Sequence, residues 1–216
     1  MLLDTVHDVQ RAYRALVQAS ASPGTIVNVG DEASRVDLDA PLARPLLLLA
    51  IMLIDAEVGF CMCSTREESD AALIAQLTYS RSVPVAHANF IIVPTGDSSS
   101  HEDRIAWTIA RAHVGTLLAP HTGATVIAEV TELTAAAAIT RGNGSVTSTD
   151  RATCLELTGP GIPTSCRVIV SGASNWLGAR AQANMEYPLG VDMILVTAAG
   201  ELVSLPRTTH VEWRER

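Results

Sequence analysis

The sequence has no lysine: all fifteen of its Lys/Arg positions are arginine. A lysine amine forms the Schiff base with pyridoxal phosphate or a carbonyl substrate, and a lysine reaches the terminal phosphates in a P-loop. Neither mechanism can therefore operate within this chain. A genome that favours arginine codons accounts for the bias, and the exclusion holds whatever its origin. Basic blocks are missing too, and the formal charge is −8 at pH 7. Tracking along nucleic acid and docking on an anionic bilayer thus lack an electrostatic basis. Any anionic ligand has to be met by a local arginine cluster.

Other absences narrow the chemistry further. The longest apolar run, Pro45 to Ile54, is about half of the ~20 residues that span a bilayer, and no secretory pattern precedes the first amphipathic segment. A cytoplasmic protein is expected. The four cysteines, Cys61, Cys63, Cys154 and Cys166, include no CxxC pair of the kind that marks structural zinc or a redox motif, and read as reduced packing residues. The six histidines form no HExxH or similar cluster. No GxSxG elbow is present, since Ser171-Gly172-Ala173-Ser174 lacks the flanking glycine. No metal or cofactor is expected.

What is present is a chain of 216 residues, 48% apolar, long enough to bury one large core, and a single α/β domain over 1–216 is the expectation. Residues 4–20 place Val6, Val9, Tyr13, Leu16 and Val17 on one helical stripe, with Thr5 and Asp8 as a capping pair. Pro23-Gly24 ends that helix, a short strand covers 25–29, and 41–54 reads as a helix buried nearly all round. Strands at 58–63 and 88–93 alternate with helices at 67–79 and 101–112, and a serine-rich loop, Thr95 to Ser100, offers caps to the second of these. A strand follows at 125–130, then a polar excursion around Gly142-Asn143-Gly144. Beyond Thr153 the pattern is strand, Gly-Pro-Gly turn, strand at 167–170, helix at 174–187, and strands at 191–196 and 201–205 joined by Ala198-Ala199-Gly200. Helix-linked and hairpin-linked strands together imply a mixed sheet with helices on its faces.

Few residues invite a chemical role. Leu157-Thr158-Gly159-Pro160-Gly161-Ile162-Pro163 has the glycines of a phosphate cradle, but Pro160 and Pro163 supply no N–H and a strand follows, whereas Pro-Gly at the two central positions suits a type II turn. The hairpin could also set Cys154 across from Cys166. His121 lies in a turn before a strand, where site residues occur. Asp192 starts a strand and Arg207 follows its partner, so the two can pair with each other or face an external acceptor. Arg207, Asp192, His121, Gly159 and Gly161 are the candidate binding residues, and no catalytic residue stands out.

The order of short motifs says more than any one of them. Tyr13-Arg14-Ala15-Leu16, Pro23-Gly24, Leu53-Ile54-Asp55, Pro120-His121-Thr122-Gly123-Ala124-Thr125, Leu157-Thr158-Gly159-Pro160-Gly161-Ile162, Tyr187-Pro188-Leu189-Gly190-Val191-Asp192 and Leu205-Pro206-Arg207-Thr208-Thr209 run along the chain. In that order they resemble the PhnH family, a subunit of the bacterial carbon-phosphorus lyase system for phosphonate breakdown. The resemblance implies a three-layer α/β/α fold with a mixed sheet, similar to the large domain of pyridoxal-phosphate-dependent transferases but without the cofactor. It also implies a homodimer that joins other subunits of the carbon-phosphorus lyase core assembly, which transfers the ribose triphosphate moiety of ATP to a phosphonate. It assigns no catalytic residue. The chain departs from the family pattern at Tyr13 and Tyr187, where phenylalanine is usual, and in a longer, more polar stretch at 140–150. An independent nucleotide- or phosphonate-binding enzyme is the alternative expectation.

Overall fold

The structure, a computed structural model, describes residues 2–96, 101–135, 152–171 and 175–215. In chain order the elements are α1 (His7–Ala21), β1 (Val27–Asn28), α2 (Gly30–Ser34), α3 (Arg44–Leu53), β2 (Gly59–Met62), α4 (Glu67–Thr78), β3 (Arg81–Ser82), β4 (Phe90–Val93) and α5 (His101–Ile109). There follow β5 (Thr125–Val130), β6 (Glu132–Ala135), β7 (Ala152–Thr158), β8 (Cys166–Ser171), α6 (Trp176–Ala183), β9 (Asp192–Thr197), β10 (Glu201–Leu205) and β11 (His210–Glu215). The expected serine caps at 97–100 and the polar excursion around 142–144 lie outside the described residues.

Seven strands form a mixed sheet in the order β1-β10-β9-β5-β4-β2-β3. Strands β9, β5, β4, β2 and β3 are parallel, and β10 and β1 add antiparallel pairs at one side. Strand alternation sends successive side chains to opposite faces. Phe60, Met62, Ile92, Ile127, Ile194 and Val196 pack with α1, α3 and α4. Their neighbours Cys61, Ile91, Val93, Val126, Ala128, Met193 and Leu195 pack with Ile105 and Ile109 of α5 and Trp176 and Leu177 of α6. Both faces are covered, which is why these strands read as nearly continuous apolar runs.

On the second face the expected hairpin beyond Thr153 belongs to a separate sheet, completed by two strands that the sequence pattern did not indicate, β6 and β11. A four-stranded antiparallel sheet, β11-β7-β8-β6, packs Leu133, Leu155, Leu157, Val168 and Val170 into the same core as α5 and α6. Its β7–β8 hairpin pairs Leu157 with Cys166 and Cys154 with Ile169. Cys154 therefore does not face Cys166, and all four cysteines are free. The hairpin is centred beyond Pro160 because residues 159–165 make a longer connection than a tight turn.

The first helix also differs from its apolar stripe. Asp8, Ala12, Leu16 and Ala19 are buried, while Val6, Tyr13 and Val17 are exposed. Small alanines let α1 lie close to β10, where the Ser20 hydroxyl donates to that of Ser204 at 3.0 Å. The buried Asp8 carboxylate accepts from Arg11 and from Arg35, the latter at 2.5 Å. The helix begins at His7, later than expected, and Asp4 rather than Thr5 meets its first donors: Asp4 accepts the backbone N–H groups of Val6 and His7, and Asp8 accepts that of Asp4. A carboxylate at Asp4 satisfies donors that the first turn leaves orphaned. The helix expected at 41–54 begins at Arg44 with Pro45 in its first turn, and Pro45 to Ala50 are all buried.

Candidate functional site

The turns named in the sequence converge at the amino end of the parallel strands. Pro120 to Thr122 form a 3-10 turn before β5, Gly190 and Val191 lead into β9, Pro206 to Thr209 leave β10, and the Gly159 to Ile162 turn follows β7. Gly190 N–H donates to the Val114 carbonyl at 2.8 Å, which ties the loop before β9 to the loop before β5. Asn184, at the end of α6, brackets Val191 by accepting its N–H (2.8 Å) and donating to its carbonyl (3.2 Å).

Arg207 locks this corner. Its backbone N–H donates to Asp192 Oδ1 at 2.7 Å, and its Nη2 donates to Asp192 Oδ2 at 2.5 Å. Its Nη1 donates to the Pro120 carbonyl at 2.7 Å, with Nη2 also 3.4 Å from the Gly123 carbonyl. The side chain is 13% exposed. Gly123 has to be glycine here, since a Cβ would lie 2.4 Å from the Gly190 carbonyl and 2.6 Å from Arg207 Nη1. The Arg207–Asp192 pair thus serves as a bidentate clamp across three chain segments. His121, in the clamped turn, is itself exposed.

The Gly-Pro-Gly stretch is a turn with a steric task. Ile162 N–H donates to the Gly159 carbonyl at 3.1 Å, and Gly161 has φ 82°, as a type II turn requires. A Cβ on Gly161 would stand 2.2 Å from the Ala21 carbonyl at the end of α1, and one on Gly159 would stand 2.9 Å from the Thr208 carbonyl. The turn is wedged between the end of α1 and the Thr208-Thr209 segment. Gly159 and Gly161 therefore lie beside the Arg207 clamp, while His121 stands on the clamp's outer side.

A residue absent from the expected set completes the corner. Arg180 of α6 is buried to 4% exposure, and its Nη2 reaches the carbonyls of Leu205 (3.4 Å), Pro206 (2.8 Å) and Thr209 (3.1 Å). Burial pushes its pKa down to about 10, and the more distant Asp192 only partly offsets this. The signal was available in the sequence: Trp176, Leu177 and Arg180 fall at i, i+1 and i+4, on the buried face of one helix. Arg180 and Arg207 flank a cavity of about 690 Å³, which Thr209, Asn184, Tyr187 and Trp213 also line.

The opposite, carboxyl end of the sheet has a smaller crevice of about 390 Å³. After β2 the chain crosses to α4 on one face, and after β4 it crosses to α5 on the other, so the two strands splay their loops apart as at a topological switch point. Ser64, Arg66, Asp70, Thr95 and Glu129 line that crevice. The Ser64 hydroxyl donates to Asp70 Oδ2 at 2.7 Å, and Thr95 N–H donates to Glu129 at 2.9 Å. Among the described residues, no group of three or more His, Cys, Asp or Glu is placed to hold a metal ion.

A family model described as bacterial phosphonate metabolism protein (PhnH) matches residues 2–212. The chain is also similar to the putative C-P lyase subunit protein HtxG of Stutzerimonas stutzeri, at 31% identity over 203 residues, 94% of this chain and 85% of that protein.

Proposed function

The chain belongs to the PhnH family of bacterial phosphonate metabolism proteins, and from that premise we propose that it is a subunit of a carbon-phosphorus lyase assembly. Within that assembly it supports transfer of the ribose triphosphate moiety of ATP to a phosphonate and carries no self-contained catalytic site. The observation that carries this reading is the convergence of the family's scattered turns on one end of the sheet, where Arg207 is spent on Asp192 and two backbone carbonyls. Groups so occupied shape a surface; they do not offer a nucleophile, acid or base to a substrate. Leu117, Leu118, Met185 and Tyr187 are exposed on loops at that same end, and exposed apolar side chains grouped beside rigid turns suit a partner surface.

The same reading takes the layered architecture as that of the transferase large domain without pyridoxal phosphate, which the lack of any lysine favours. It takes the chain as one unit, a homodimer and cytoplasmic, with neither nucleic acid nor membrane as a partner. Among the described residues no helix is long and apolar enough to cross a membrane. Copurification from phosphonate-grown cells of the native source tests the proposal. Expected is a stable assembly with the other subunits of the system. A chain that stays free, while those subunits turn over methylphosphonate and MgATP without it, overturns the reading. An independent ligand-binding role draws its support from the cavity beside Arg180.

A further inference from the structure

Of the four free cysteines, two meet. The sulfurs of Cys61 and Cys63 are 3.8 Å apart at the carboxyl end of β2, whereas Cys154 and Cys166 each face another residue across their hairpin. Both thiols belong to the core on the α5 side of the main sheet, with Ile91, Val93, Ile105 and Ile109. They are buried but not sealed, at 6% and 7% exposure. Cys63 leads directly into Ser64 and Thr65, which line the crevice of about 390 Å³. The next residues along the chain from Cys63 are thus in reach of any small solute in that crevice.

The two thiols are unequal. A hydrogen bond from Cys61 and the charge of Arg104 hold the Cys63 thiol down at about 7, against burial and the nearby carboxylate of Glu67. Thr108 of α5 faces Cys63, and its buried hydroxyl has no other hydrogen-bond partner. The same pairing, together with burial, pushes Cys61 up. A thiolate beside a second, protonated thiol is the arrangement of an oxidisable cysteine and the residue that resolves it. The pair suits a metal less well, because among the described residues no third His, Cys, Asp or Glu is placed to complete a ligand set.

We propose that Cys61 and Cys63 form a peroxide-sensitive dithiol, a site of reversible oxidation to an intrachain disulfide. The Cys63 thiolate attacks one oxygen of hydrogen peroxide, the O–O bond breaks, and the leaving hydroxide takes up a proton to become water. Cys63 is then a sulfenic acid. Cys61 attacks that sulfur, its proton passes to the departing hydroxyl, and a second water leaves as the S–S bond forms. The two thiols lose two electrons and two protons, and peroxide gains them. Extended residues at i and i+2 stand about 6.6 Å apart at Cα, near the upper limit of about 6.8 Å that a disulfide spans. Closure therefore pinches the chain at Cys63, whose N–H donates to the Ile92 carbonyl at 2.9 Å, and a bond under such strain is readily reduced. This site goes beyond the subunit reading and does not rest on it.

Mass spectrometry of the folded full chain tests the site. Hydrogen peroxide is added at about pH 8, where Cys63 is the thiolate, the remaining thiols are alkylated after unfolding, and the tryptic peptide that carries both cysteines is weighed. Expected is the loss of two hydrogens from that peptide with neither cysteine alkylated, and the return of both thiols with dithiothreitol. In Cys61→Ser, dimedone should trap Cys63 as the sulfenic acid. In Cys63→Ser, peroxide consumption should slow by about tenfold or more. A wild-type chain that stays reduced while folded, at peroxide concentrations that oxidise the unfolded chain, overturns the site. So does Cys63 oxidised to sulfinic acid with Cys61 still free, or a disulfide between two chains. These wild-type outcomes decide the matter should either serine variant fail to fold, and copurification as a subunit stands or falls separately from them.

Discussion

The two ends of the main sheet are built in contrasting ways. At the amino end of the parallel strands, close backbone approaches, a bidentate clamp and a buried arginine fasten six chain segments to one another. At the carboxyl end, the loops after β2 and β4 part toward opposite faces and leave a crevice whose polar groups bond mainly within single loops or to one neighbour. Open α/β sheets ordinarily bind ligands at the carboxyl end, where loops diverge. In this chain the family's turns and the larger arginine-flanked cavity both lie at the other end. The difference teaches that the motifs here mark where the fold is welded shut, and that a ligand or partner at this end meets a rigid surface.

That contrast predicts unequal costs for substitutions at the two ends. The largest is expected for Gly161→Ala. Its φ of 82° disfavours any side chain, and the new Cβ would press on the Ala21 carbonyl at 2.2 Å. Backbone strain of this kind costs about 3 kcal/mol or more, which for a chain of this size lowers Tm by roughly 6–12 °C. A thermal melt of the variant checks it. An unchanged Tm would mean that the turn is not wedged against α1, and the welded picture of the amino end would fail.

Asp192→Ala comes next. It leaves the Arg207 guanidinium, 13% exposed, without its carboxylate and with only the Pro120 and Gly123 carbonyls. The expected loss is about 2 kcal/mol in urea unfolding. Asp192→Asn keeps an acceptor for the Arg207 backbone N–H and should lose less. At the carboxyl end, Asp70→Asn is expected to cost only about 1 kcal/mol. The Ser64 hydroxyl can still donate to an amide oxygen, and Arg66 stands 3.9 Å from the lost charge. A larger loss there than at Asp192 would reverse the comparison.

Much of this contrast was legible in the sequence, and what was missed has physical reasons. The main-sheet strands β2, β4, β5, β9 and β10 were visible because burial makes them short apolar runs between turns, whereas β3, two exposed residues, was not. The type II turn at Gly159 to Ile162 followed from proline and glycine at fixed positions. The second sheet was hidden apart from its β7–β8 hairpin: β11 alternates polar and apolar residues like a surface segment, and it pairs with β7 more than fifty residues earlier, a distance over which local pattern is silent. The stripe of α1 misled because a carboxylate, Asp8, takes a core position that apolar patterning assigns to valine. Among candidate residues, Asp192 and Arg207 were placed at the ends of adjacent strands, where they could pair with each other or face an external acceptor, and the structure pairs them. Arg180 was passed over because arginine reads as surface unless its neighbours at helical spacing are weighed with it.

The smallest expected effect concerns reactivity and not stability, and it sharpens the contrast at the carboxyl end. Cys61 lies on β2 and Cys63 just past its end, at i and i+2, with their sulfurs 3.8 Å apart. A hydrogen bond from Cys61, helped by Thr108 and Arg104, holds the Cys63 thiol down at about 7 against the opposing effect of burial, while the same pairing pushes Cys61 up. The sign follows from which sulfur carries the charge: Cys63 becomes the thiolate as pH rises through about 7, and Cys61 remains the donor. Alkylation by iodoacetamide, followed residue by residue by mass spectrometry, should therefore rise through neutral pH at Cys63 before Cys61 reacts, slowly because both are buried. Cys61→Ala removes the donor, so the Cys63 midpoint should move upward with little change in Tm. A midpoint that stays in place would mean that Arg104 and Thr108 alone stabilise the thiolate. The carboxyl end would then be tuned by α5 across the core and not by the neighbouring thiol on β2.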